Sequence, residues 1–186
     1  AGDDQRVATY LATRLGSRLN ASAIAVSNQA FEDSRAPLGD EYGVLLEQYS
    51  VIAEDIDAEE TAERFNLTRE QQRALIDSAE DLNQTAIAYQ RAVEAGNDEQ
   101  ARELGREILE TTAELNASTA ALTEQYDALE EETDINLDAA QAALNQSRQR
   151  LTQGAAAVAQ REFTATTLTV ETNRTTLSTS EPVRGS

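Results

Sequence analysis

Six of the nine asparagines stand in Asn-X-Ser/Thr triplets: Asn20, Asn66, Asn83, Asn116, Asn145 and Asn173. At this content of Ser and Thr, roughly one or two such triplets would arise by chance. The chemistry they serve is attachment of an N-linked glycan, a modification of exported chains. An acceptor needs an extended backbone, so Asn66 and Asn173, expected outside helices, are the foremost N-glycosylation candidates. The other four lie in a Leu-Asn-Ala/Gln-Ser/Thr tetrapeptide, each Asn following a Leu of a helical seam. A second role competes there: a layer of amides inside the bundle that fixes helix register at some cost in stability. Counted outward from the turns, Asn116 and Asn145 should fall at nearly the same height.

Other chemistry is poorly supplied. The chain has no His, no Cys and no Lys. A base, nucleophile or metal ligand must therefore come from carboxylates, Tyr or Ser/Thr. No Gly-rich phosphate loop or nucleophile elbow occurs, and a di-iron bundle would lack its histidines. Asp134-Ile-Asn136-Leu-Asp138 imitates the first half of a calcium loop. The pattern then fails, with Ala139 where Gly is required and Asn145 where a bidentate Glu belongs. A helix cap is the expected role. The acids Glu54, Asp55, Asp57, Glu59 and Glu60 read as a solvated face that holds a cation loosely at most. No enzymatic activity, no metal and no cofactor is expected.

The elements that carry these residues are helices. Residues ~4–33 form the first, with Val7, Leu11, Leu15, Leu19, Ala23 and Val26 on one stripe. Ser34 to Gly39, with Pro37 inside, is a break. Asp40 can then cap a second helix, whose stripe is Tyr42, Leu45, Leu46, Tyr49, Ile52 and Ile56. A connector with a short helical turn around Glu59–Arg64 leads to Thr68-Arg-Glu-Gln71, a capping box that should start the third helix. Its seam is Leu75, Ala79, Leu82, Ala86, Tyr89 and Val93. Gly96 suits a helix end, and Asn97-Asp-Glu-Gln100 is the next capping box, so the third and fourth helices must pack antiparallel across a tight turn.

The fourth helix is the longest seam. Ala101, Ile108, Leu115, Leu122 and Leu129 recur every seven residues, with Gly105, Thr112, Thr119 and Tyr126 beside them. Such a stripe needs partners along its whole length. Thr133 or Asp134 should cap a fifth helix with Leu137, Leu144, Leu151 and Val158 on its seam. Ala140, Ser147 and Gly154 lie between them, small enough to let another helix approach. The expected fold is mainly α, an elongated antiparallel bundle of four or five helices over residues 1–163.

Residues 164–186 differ. Half of the positions from Thr164 to Thr179 are Thr, and Leu168 and Val170 alternate with polar residues as in a strand. One or two β-strands are expected, either opening a sandwich cut off at Ser186 or pairing with another chain. Thr-Leu168-Thr-Val170, Asn173-Arg-Thr-Thr-Leu177 and Ser180-Glu-Pro182-Val183-Arg-Gly185-Ser resemble the opening strands of an immunoglobulin-like domain. Such domains recur in secreted or membrane-anchored surface glycoproteins of haloarchaea, which also carry Lys-free acidic helical regions. The resemblance implies an exported glycoprotein and brings no catalytic residue.

Charge points the same way. The net charge is −19, from 34 acids against 15 bases, all of them Arg. Small apolar residues with a dense carboxylate surface suit high salt, where a Debye length of ~3 Å screens self-repulsion. A field of this sign repels nucleic acid. No uncharged apolar run reaches the ~20 residues a membrane span needs, so any membrane anchor is expected outside this fragment. The Ala1-Gly-Asp-Asp4 start fits a mature end left after export. The expected function is an extracellular, cell-surface structural or adhesive protein of a halophilic archaeon: a stalk, spacer or filament subunit. Protein partners or self-association are expected with it. The alternative is a sensory or ligand-binding helical ectodomain, which should enclose a pocket with convergent polar groups where a stalk should have a dry core.

Overall fold

The computed structural model describes the backbone of residues 2–180 and the side chains of residues 2–165. It is a helical bundle, built from α1 (Gly2–Ser27), α2 (Phe31–Arg35), a 3-10 turn (Ala36–Leu38), α3 (Asp40–Asp55), α4 (Glu59–Glu94), α5 (Asp98–Glu132) and α6 (Asp138–Ser180). The long helices alternate in direction, and each packs on the next: α1 on α3, α3 on α4, α4 on α5, α5 on α6. The ring closes where α6 lies parallel to α1, with Gly16 beside Ile135, Asn20 on Ala140 and Ser27 on Arg150.

The stripe of α5 packs as its period requires. Ala101, Gly105, Ile108, Thr112, Leu115, Thr119, Leu122, Tyr126 and Leu129 are all buried. At ~1.5 Å per residue this helix runs roughly 50 Å. Its hairpin with α4 is closed as expected. Gly96 takes φ +74, a left-handed conformation that a Cβ disfavours. The Asn97 carboxamide oxygen accepts from the Gln100 N–H at 3.2 Å, and its amide donates to the Gln100 side chain at 3.1 Å.

Elsewhere the boundaries moved. The first helix stops at Ser27, because Gln29 turns at φ +60 and Pro37 sits in the 3-10 turn that leads to α3. Val7 is 43% exposed, and Ala8 takes its place on the buried face of α1. Thr68 does not start a helix, since α4 begins at Glu59 and runs through it. The Thr68 hydroxyl donates back to the Arg64 carbonyl at 2.7 Å, a bond open to Thr inside a helix. Thr61, Ala62, Phe65, Thr68 and Gln72 supply the buried face that holds this first stretch in place.

The expected β-strand tail is not seen in the described residues. The backbone of residues 164–180 continues α6, and 181–186 lie outside the described residues. A strand must find its hydrogen bonds on a neighbouring strand, whereas a helix satisfies them internally. No β-strand occurs among the described residues to serve as that neighbour.

The bundle has two halves. Around α1 and α3, five helices surround a wide core in which Leu15, Leu19, Tyr42, Phe65, Tyr126 and Leu137 are fully buried. Beyond the end of α1, only α4, α5 and α6 continue, packed through Tyr89, Ala92, Ala101, Gly105 and Ala155.

Candidate functional site

Each glycosylation candidate now has a position. Asn66 is exposed, but it lies inside α4 rather than outside a helix, because the connector expected there is helical. Asn145 is exposed on α6. Asn173 lies within the helical backbone of α6, again not in an extended segment. Asn83 is half-buried and lines a small apolar groove of about 130 Å³ with Val26, Phe31 and Leu151.

Asn20 carries a structural task. Its carboxamide oxygen accepts from the Ala140 N–H at 2.9 Å, and its amide donates to the Asn136 carbonyl at 2.9 Å. One side chain of α1 thus satisfies two backbone groups at the start of α6, a region with four orphan N–H groups. A glycan on that nitrogen would replace one of its two N–H groups. Asn116 reaches Thr152 on α6 at 3.5 Å, while Asn145 faces solvent. The two do not form a shared polar layer, because α6 places position 152, not 145, opposite position 116.

The imitation calcium loop is a cap. The Asn136 side chain accepts from the Asp138 N–H at 2.9 Å, an Asx turn that satisfies the first N–H of α6. Thr133, expected to cap this helix, closes α5 instead, donating to the Leu129 carbonyl at 2.6 Å. The acids near Asp57 border a turn where Asp57 takes φ +54. Among the described residues no group of three or more acids converges on a point that could hold a metal ion.

Two polar features were not visible in the sequence. The first is at the centre of the wide half. The Tyr126 hydroxyl donates to the Gln72 carboxamide oxygen, and the Gln72 amide donates to the Leu19 carbonyl at 3.0 Å. Alongside, the Tyr42 hydroxyl donates to the Phe65 carbonyl at 2.8 Å, and the Arg69 guanidinium sits over the Tyr42 ring while donating to the Leu38 and Gly39 carbonyls. Tyr42, Gln72 and Tyr126 are fully buried, and burial raises the phenol pKa of both tyrosines well above its ordinary value. These groups satisfy one another, as buried polar groups must, and tie α1, α3, α4 and α5.

The second feature is a cleft of about 350 Å³ at the end of the wide half. It lies between the first turns of α1, the α3–α4 turn and the α5–α6 loop. Ala8, Ala12, Ile56 and Ile135 give it an apolar floor, and Asp57, Glu131, Glu132 and Asp134 stand around it. Glu132 also accepts from Arg64 with both oxygens at 3.1 Å. Tyr49 and Thr61 border the same space. Tyr49 could be named from its stripe; that Thr61 joins it depends on α4 beginning at Glu59.

No helix of the described residues is long and apolar enough to cross a membrane. Comparison with protein-family models, with curated proteins and with solved structures returns no match.

Proposed function

We propose that this chain is an extracellular structural or adhesive surface protein of a halophilic archaeon, acting as a stalk, spacer or filament subunit rather than as an enzyme. The observation that carries this is the interior. Apolar side chains fill it from Ala8 to Ala155, and its central polar groups, Tyr42, Gln72 and Tyr126, hydrogen-bond within the protein. Such a core supports a rigid rod. Acids outnumber bases 34 to 15, which supports the high-salt setting and disfavours nucleic acid as a partner. Asn66 and Asn145 are exposed and so open to glycan attachment, but each stands in a helix, so attachment there belongs to a chain still extended during export. Protein partners or self-association, and membrane anchoring outside this fragment, belong to the same proposal.

So does the tail. The alternating Thr, Leu168 and Val170 suit strands of an immunoglobulin-like domain, formed where other strands are present to pair with them. Truncation after Phe163 tests that role: sedimentation in molar salt should be unchanged for a chain missing its sandwich, and should lose an oligomer if the tail completes a neighbour's sheet.

The high-salt setting is tested by thermal melts followed by helical circular dichroism. Lowering salt from molar to ~50 mM lengthens the screening distance severalfold, so the melting temperature should fall. A melt unchanged over that range would sink the halophilic assignment. The cleft beside Tyr49 favours a second reading, a sensory or ligand-binding ectodomain.

A further inference from the structure

The cleft at the closed end holds two hydroxyls whose bonding the protein does not complete. Tyr49 is 3% exposed and Thr61 is 7% exposed. The Tyr49 ring is held edge-on by Phe65, with ring centres 5.3 Å apart, and the Thr61 backbone is held by the Ala58 carbonyl at 3.1 Å. Neither hydroxyl has a hydrogen-bond partner among the described residues. The side-chain atoms that are both sealed from solvent and unpartnered lie elsewhere, at Gln71, Thr112 and Asn116. Tyr49 and Thr61 both line the cleft, and neither hydroxyl is among those sealed atoms. Glu132 lies close enough to help raise the Tyr49 pKa, after burial as the main cause.

We propose that this cleft binds a small organic cation, an ammonium group carried on a short apolar stem. The proposal rests on the ligand-binding reading and gives it a ligand class. An ammonium brings only donors. The cleft offers two hydroxyl oxygens and the carboxylates of Asp57, Glu131, Glu132 and Asp134, with no basic side chain in its lining. Arg64 offsets the charge of Glu132 alone. A neutral alcohol could satisfy the hydroxyls but would leave the acids facing one another uncompensated. A bare metal ion is ill served, since no three acids converge. The apolar floor at Ala8, Ala12 and Ile135 takes the stem, and 350 Å³ is within the size range of small-molecule sites.

The test is calorimetric titration of the full chain, at the lowest salt that keeps it helical, with n-butylammonium chloride, 1-butanol and sodium butyrate. Butylammonium should bind saturably, and butanol and butyrate at least ~10-fold more weakly. Thr61→Val and Tyr49→Phe should each weaken butylammonium by roughly 3- to 10-fold, and Asp134→Asn by a similar factor, with the thermal melt little changed. Should Tyr49→Phe disturb the fold, the near-isosteric Thr61→Val and the surface change Asp134→Asn decide the matter. Butanol or butyrate binding as tightly as butylammonium overturns the cation class but leaves the ligand-binding reading standing. No binding by any of the three overturns both. Butylammonium binding that neither Thr61→Val nor Asp134→Asn weakens places the cation elsewhere and overturns this site.

Discussion

The two halves of the bundle solve the same problem with opposite side chains. Where five helices surround the axis, the space between them is wide, and Tyr42, Phe65 and Tyr126 fill it with large rings. Tyr42 and Tyr126 bring hydroxyls inside, and each then needs an acceptor, the Phe65 carbonyl and Gln72 respectively. Where three helices remain, the axis is narrow. Gly105 lies so close to α6 that a Cβ there would sit 3.2 Å from Glu162 and 3.3 Å from Val158. At this end the Tyr89 hydroxyl donates to Glu162 at 2.8 Å, while the Thr112 hydroxyl is buried without a partner. The wide half thus admits large rings whose hydroxyls are satisfied inside, and the narrow half needs a glycine where its helices meet.

The largest expected effect lies in the wide half. Leu122 is fully buried in the middle of the α5 seam. Leu122→Ala should cost about 2–5 kcal/mol in chemical denaturation, by lost burial and the cavity left behind. A loss below ~0.5 kcal/mol would remove α5 from the centre of the bundle. Tyr126→Phe keeps the ring but strands the Gln72 oxygen. It should cost about 1–3 kcal/mol, and pairing it with Gln72→Leu should recover part of that, because both polar partners are then gone.

Alkali should weaken both halves. Tyr42 and Tyr126 in the wide half have raised pKa values, and Tyr89 in the narrow half is pushed up to about 12, chiefly by burial and then by its bond to Glu162. A phenol whose pKa is raised in the folded state adds nothing below its ordinary value of ~10, because it is neutral in both states. Above ~10 the unfolded chain ionises first, so stability should fall as pH rises toward 12. Phenolate absorbance from the buried tyrosines should appear together with loss of helicity. Titration of Tyr42, Tyr89 and Tyr126 near pH 10 in a folded chain would contradict the packing of both halves.

The smallest effect compares two glycines. Nothing lies within 4 Å of a Cβ built on Gly154, so Gly154→Ala should stabilise α6 by about 0.5–1 kcal/mol. Gly105→Ala has the same intrinsic gain, but its methyl would crowd Val158 and the Glu162 stem held by Tyr89. It should gain less than Gly154→Ala or become destabilising. An equal gain at both positions would mean that the narrow half is looser than its contacts indicate.

Much of this was legible in the sequence, for a local reason. Helical period is a property of neighbouring residues, so the α5 stripe from Ala101 to Leu129 could be read without its partners. The Gly96–Asn97 turn needs only one left-handed residue and one capping side chain. The failures have the opposite character. Thr68 carries a capping pattern, yet burial of Phe65 and Ala62 extends α4 upstream past it. Gly154 was expected beside the seam, but α6 turns Ala155 inward there, next to the expected Val158. The glycosylation candidates show both outcomes: the triplets are local and countable, while only packing reveals that Asn20 is engaged with α6 and Asn145 is free on its surface.

By itself, then, the sequence determined the helical class, the α4–α5 hairpin, the inward face of α5 and an acidic exterior, all of which follow from spacing along one segment or from composition. Tertiary structure alone decided that α6 runs parallel to α1, that Gln72 meets Tyr126, 54 residues away, and that Asn20 caps a helix 120 residues further on. It also brought Tyr49, Thr61 and Asp134 to one cleft. The physical reason is that a side chain's partner across the bundle depends on helix crossing and register. Those arise from the simultaneous packing of all the apolar faces, and no single stretch of chain contains them.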